Sequence, residues 1–202
     1  MDSLRQPLET GEVAIARANH RFVYPARFQL VAAMNPCRCG HGAEPGYACS
    51  RGPNARCMAL YQARLSGPLI DRFDLLIDVP PVTASDLLLP APSEGSAEVA
   101  ARVAAARQIQ IERYRMLDLP HVLCNAAAPA TCVETTLDAA PAAFALLREA
   151  AERMRLSARG YHRVLKLART LADLDGGGSV GRVHLAEALS YRANGERMAA
   201  AA

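Results

Sequence analysis

Residues 28–40 read FQLVAAMNPCRCG. The compact apolar run from Phe28 to Met34 predicts a buried strand that opens into a loop at Asn35-Pro36. That loop extends to about Met58, is rich in Gly, Pro, Arg and Cys, and is too long for a plain connection, so something should organise it. Upstream, EVAIARA and RFVYP predict two strands joined around Asn19 and His20 as a hairpin, and DSLRQPLE predicts a short helix capped by Asp2 or Ser3. Downstream, ALYQARLSG and PLIDRF predict helices and DLLIDVP a second buried strand. The Pro- and Ser-rich segment PPVTASDLLLPAPSEGSAE, residues 80–98, has linker composition. Beyond it, helices are expected over 97–117, 139–155, from a cap at Ser157 to about Leu174, and over 182–193. The fold class is therefore mixed α/β followed by all-α: a partial α/β core over 1–82, a linker over 83–98 and a helical domain over 99–202.

Composition narrows the function classes. The chain has 202 residues, 51% of them apolar and 21% charged, which describes a folded domain or two. No apolar run approaches the roughly 20 residues that span a bilayer, and MDSLRQPLET has no hydrophobic signal core, so the expectation is a cytoplasmic protein with no membrane partner. A net charge of +3 identifies no nucleic-acid partner, although every one of the 23 basic residues except Lys166 is arginine.

The six cysteines are uneven: Cys37, Cys39, Cys49 and Cys57 crowd into one stretch, while Cys124 and Cys132 read as small apolar residues. Without a secretion signal the crowding points to metal more than to disulfides. Four thiolates suffice for a closed tetrahedral zinc site, and His41 could replace one of them. The alternative is a reduced, metal-free loop. Arg38, Arg51 and Arg56 decorate this loop, so a metal could stiffen a basic finger that touches DNA.

On a helical wheel Tyr161, Val164, Leu165, Ala168 and Leu171 fall on one side, with Arg159, His162, Arg163 and Lys166 on the other. Such a helix buries one face and leaves a basic edge that either meets water or faces phosphate.

Taken together, LRQPLETGEVAIARA, FQLVAAMNPCRCG, LSGPLIDRFDL and LSARGYHRVLKLARTLADLDG closely resemble the ComM/YifB branch of the magnesium-chelatase-like AAA+ proteins, from Asp2 to about Arg192. The resemblance implies the C-terminal portion of a P-loop core, from sensor 1 onward, followed by a helical lid. It further implies a ring of identical subunits, expected to be a hexamer, that hydrolyses ATP with magnesium and acts on DNA in branch migration during uptake and recombination. It does not imply insertion of magnesium into porphyrins. By the same resemblance Asn35 matches sensor 1, Arg72 in SGPLIDRFD the arginine finger, and Arg159 in LSARGYHR sensor 2, with Arg163 one turn further on the same face. The hairpin residues Arg17, His20 and Arg21 fall where ring helicases often place a pore loop; a charged edge that blocks strand pairing is the equal alternative. The family carries a cysteine-rich insert at this point, but its second pair is commonly Cys-x-Cys, whereas seven residues separate Cys49 from Cys57 here.

A phosphate-cradling loop needs Gly-x-x-x-x-Gly-Lys followed by Ser or Thr. The sole lysine stands between Leu165 and Leu167, so that loop is not in this sequence, and Val79 after Asp78 leaves the metal-holding acidic pair incomplete. In the family both elements lie just upstream of DSLRQPLE, so the expectation is that Met1 is an internal start or that the chain is part of a longer protein. The ATP site would then be shared, the chain inactive alone, and the partial core would expose strand edges and apolar surface. Two further readings remain beside this one: a non-enzymatic zinc-stabilised DNA-binding module, and an inactive remnant.

Overall fold

A computed structural model describes residues 2–18, 20–40, 54–90 and 93–200. By internal contacts the chain divides into two units, 1–73 with 194–202, and 74–193. The division falls at Phe73, ahead of the Pro- and Ser-rich stretch whose composition suggested the boundary.

The first unit begins with a 3-10 turn, Asp2–Leu4, that runs into α1, Arg5–Thr10. Asp2 and Ser3 belong to that turn and α1 has no side-chain cap, which corrects the expected capping. The helix stops at Gly11, whose φ of 70° is left-handed and whose N–H donates to the Pro7 carbonyl. Glycine is needed there twice over, because a Cβ would also come within 2.8 Å of Arg27 Cγ. Next come β1, Glu12–Arg17, and β2, His20–Pro25, paired antiparallel from Glu12↔Pro25 to Arg17↔His20. Ala18 takes a positive φ of 50° at the tip, and the Ala26 N–H closes the open end on the Gly11 carbonyl at 2.7 Å.

The two further strands expected from FQLVAAM and DLLIDVP are not formed: both segments lack regular secondary structure, and the hairpin is the one sheet among the described residues. An apolar run becomes a strand only where a neighbour completes its hydrogen-bond ladder and covers its faces. Here Val31 is 84% exposed and Val79 86%, so no described residue covers them. The expected exposure of apolar surface is thus present, on this irregular backbone and on the hairpin at Ile15, Phe22, Val23 and Tyr24.

Helix α2, Asn54–Gln62, and the short α3, Gly67–Ile70, complete this unit. Its buried apolar residues are few: Pro7, Cys37, Cys57, Leu69 and Ile70 among those described.

The second unit is helical: α4, Ser96–Met116; α5, Ala130–Thr136; α6, Pro141–Arg153; α7, Ala158–Leu174; and α8, Arg182–Ala200, which continues beyond residue 193. Helix α5 and a 3-10 turn at Asn125–Ala127 were not legible in the sequence, since neither is long enough to show a period. Helix α7 lies at the centre and packs against α4, α5 and the 3-10 turn. Val164, Leu165, Ala168 and Ala172 on α7 share one core with Tyr114, Val133, Leu137, Leu147, Val180 and Leu185. Each fully buried Leu or Val contributes about 1.5–3 kcal/mol of transfer free energy. Ser157 caps α7 as expected, its Oγ accepting the Gly160 N–H at 3.0 Å.

Candidate functional site

The cysteine cluster is assembled by a turn and a helix. Cys37 and Cys39 sit on the turn closed by the Gly40 N–H to the Cys37 carbonyl, and α2 carries Cys57 to them. The three sulfurs lie within 4.8 Å of one another, and Cys37 Sγ is 2.9 Å from Cys39 Sγ. Cys37 is 0% exposed and Cys57 9%, so their thiols face each other, away from water. Gln62, at the other end of α2, donates to the Pro36 carbonyl at 3.4 Å, so one helix holds the turn at both ends. Sulfurs this close fit one ion with metal–sulfur bonds of about 2.3 Å after small shifts. Cys49, the fourth expected ligand, and the alternative His41 lie outside the described residues, as does Arg51; Arg38 and Arg56 are exposed.

Asn35 directly precedes this turn and is exposed. Arg72, just beyond α3, is more enclosed, its side chain 12% exposed. Its Nε donates to the Arg5 carbonyl at 3.2 Å, its Nη1 to the Pro68 carbonyl at 2.6 Å, and its Nη2 to the Glu9 carboxylate. Arg5 Nη2 in turn donates to Ser66 Oγ at 2.6 Å. Two of the quoted strings, LRQPLE and LSGPLIDRF, therefore clasp each other through α1 and the α3 loop. Glu9 is not legible in the sequence as the partner of Arg72, because it stands 63 residues away, whereas Asp71 and Asp74 are the acidic residues near in sequence.

The hairpin brings Arg17, His20 and Arg21 to one exposed tip, where Arg17 pairs with His20 in register and the His20 ring stacks on Phe22 at 5.9 Å.

In the second unit Arg159 is exposed in the first turn of α7. Arg163 forms an ion pair with Asp74, and its buried Nε has no hydrogen-bond partner among the described residues; the same holds for His162 Nδ1. Lys166 Nζ donates to the Ala126 carbonyl at 2.9 Å. Burial, and then the charge of Arg163, push the Lys166 amine below its ordinary value.

Farther along, α7 holds a pair that the wheel overlooked. Arg169 and Asp173, four apart, are both buried. Asp173 accepts from Arg113, from Arg169 Nε at 3.1 Å and from Asn125 Nδ2 at 2.8 Å, while Tyr114 donates to Asn125 Oδ1 at 2.9 Å. Arg169 also reaches the Gly178 carbonyl at 2.6 Å. The bond to Asp173 raises the Arg113 value, whereas burial lowers that of Arg169. This network is internally satisfied and joins α4, α7 and the 3-10 turn; its chemistry is structural.

Compared with known proteins, residues 1–87 match the family described as magnesium chelatase, subunit ChlI, and residues 93–192 match the family described as magnesium chelatase, subunit ChlI C-terminal. The chain is similar to the competence protein ComM of Haemophilus influenzae, 43% identical over 194 residues that make up 96% of this chain and 36% of that protein. It is similar to YifB of Escherichia coli, 39% identical over 200 residues with the same two shares. A protein of Mycobacterium tuberculosis is 38% identical over 198 residues, 98% of this chain and 38% of that protein. The chain thus spans a little over a third of the length of these relatives.

Proposed function

We propose that this chain, which belongs to the magnesium chelatase family in its ComM and YifB branch, is the sensor and lid portion of a ring-forming AAA+ ATPase that acts on DNA. The name of the competence protein ComM supports a role in DNA uptake. In this reading Asn35 is sensor 1, whose amide can donate and accept at once and so orients the attacking water. Arg72 is the arginine finger, offering permanent positive charge to the phosphoryl group bound by a neighbouring subunit. Arg159, with Arg163 one turn on, is the lid arginine that reaches the phosphates of its own subunit.

The observation that carries the reading is on α7. Its edge away from the core bears Arg159, His162, Arg163 and Lys166, and there the buried Arg163 Nε and His162 Nδ1 are unsatisfied among the described residues. Unsatisfied buried polar atoms beside positive charge are what an anionic ligand would complete. The loop that grips the triphosphate with its magnesium is not in these 202 residues. The nucleotide must be held by other polypeptide, and this chain's part is to orient water and to neutralise charge.

The test combines the 202-residue protein with a polypeptide carrying the phosphate-loop segment of a relative. The chain alone should not turn over ATP. The mixture should show DNA-stimulated hydrolysis that Arg72→Ala lowers on the order of 10³-fold. Steady hydrolysis by the chain alone, abolished by Arg159→Ala, would overturn the reading.

The cysteine cluster favours a second reading, a zinc-stabilised DNA-binding module. Cys37, Cys39 and Cys57 would hold the ion, with Cys49 as the fourth ligand, and zinc would supply rigidity to a loop bearing Arg38 and Arg56. The hairpin tip with Arg17, His20 and Arg21 would add phosphate contacts. Metal-dependent DNA binding with no hydrolysis in the mixture would decide for this module. Protein purified without chelators and found free of zinc would remove it.

A further inference from the structure

The clasp between α1 and the α3 loop has a feature that the finger reading does not use. Arg72 has three acceptors, and they differ in kind. The Arg5 and Pro68 carbonyls are neutral backbone groups, each placed by a helix, and they fix the plane of the guanidinium through Nε and Nη1. The third acceptor, on Nη2, is the Glu9 carboxylate, and it is the one charged group of the three. A phosphate oxygen resembles a carboxylate oxygen in charge and in the way it accepts from an arginine fork, whereas it cannot imitate a backbone carbonyl fixed inside the same chain. The Arg72 side chain is 12% exposed and that of Glu9 36%, so Glu9 is the more open side of the pair, and an anion from solvent reaches Nη2 by displacing it.

We propose that Glu9 is the resting counter-ion of Arg72, and that a phosphate oxygen of a bound nucleotide takes its place while the two backbone carbonyls keep the guanidinium aimed. Glu9 is then a positioning residue whose charge sets how readily Arg72 turns to phosphate. The clasp itself does not depend on Glu9, because Arg5 Nη2 to Ser66 Oγ and Arg72 Nε to the Arg5 carbonyl hold α1 to the loop without it. The inference rests on the reading of Arg72 as a group that meets phosphate.

Two measurements test it. In the 15N-labelled 202-residue chain, the Arg72 Nε–H resonance, identified by its loss in Arg72→Ala, is followed while inorganic phosphate is added. Glu9→Gln should bring the phosphate-dependent shift to about two- to fivefold lower concentration than the unaltered chain, the range of a partly exposed ion pair, and Glu9→Asp should restore it. In the mixture that hydrolyses ATP, Glu9→Gln should raise turnover, in contrast to the fall from Arg72→Ala. Equal phosphate dependence of Glu9→Gln and the unaltered chain, with unchanged far-ultraviolet spectra, overturns the exchange. Turnover that falls in Glu9→Gln also overturns it. If Arg72→Ala leaves turnover unchanged, the finger reading fails, and the phosphate titration alone decides the role of Glu9.

Discussion

The two units bury themselves by different means. In the second, α4, α5, α6 and α8 share with α7 an apolar core, beside a buried polar network in which Asp173 meets two arginines and an asparagine. In the first, a hairpin and the short helices α1, α2 and α3 enclose little more than Leu69, Ile70 and the cysteine pair Cys37 and Cys57, while Phe22, Val23, Tyr24 and Val31 meet water. A helix satisfies its own backbone and asks its surroundings only for an apolar contact; a strand must borrow both hydrogen bonds and cover. The helical unit therefore closes a core of its own, whereas the α/β unit leaves apolar side chains exposed.

The sharpest way to break that contrast is at Asp173. Replacing it by alanine strands Arg113 and Arg169 in buried surroundings, and should cost about 3–5 kcal/mol in a chemical denaturation followed by helix signal. A loss below about 1 kcal/mol would mean that the network is not what fastens α4 to α7. A paired substitution sharpens the comparison next. Leu165→Ala should cost about 2–5 kcal/mol, whereas Val31→Ser, in the first unit, should stay within about 0.5 kcal/mol. Equal costs would show Val31 to be packed, and the picture of an uncovered first unit would fail.

The smallest effect concerns pH. The Lys166 amine titrates lower in the folded chain than in the unfolded one. The unfolded chain thus holds more protons between those two values, and stability should rise with pH across that window, just below the ordinary 10.5. The check is the denaturation midpoint of the unaltered chain against Lys166→Met on alkaline titration. The variant should lose the rise; an identical slope in both would show that the amine is not desolvated.

Much of the architecture was legible. Helices α4, α6 and α7, the Ser157 cap and the hairpin from residues 12–25 all appear where the sequence places them, because each is stabilised largely within a few residues of itself. The cysteine loop was legible as a cluster, and three of its four members do converge. The strands expected at 28–34 and 74–80 failed for the opposite reason. Their apolar pattern states that the segments want cover, not that cover is present. The candidate site divides the same way. Pattern and resemblance picked out Asn35, Arg72, Arg159 and Arg163 as residue types suited to phosphate, but not the carboxylates that meet two of those arginines, Glu9 and Asp74.

From residues alone one obtains the helices, the hairpin, the crowding of thiols and the family, since these depend on local spacing and on short strings in order. Tertiary structure decided which apolar runs stay uncovered, that Arg169 and Asp173 share the core, and that Arg72 answers to Glu9. The reason is physical: an ion pair or a strand ladder is selected by nearness in space, and sequence neighbours such as Asp71 lose to a distant carboxylate that the fold carries into reach.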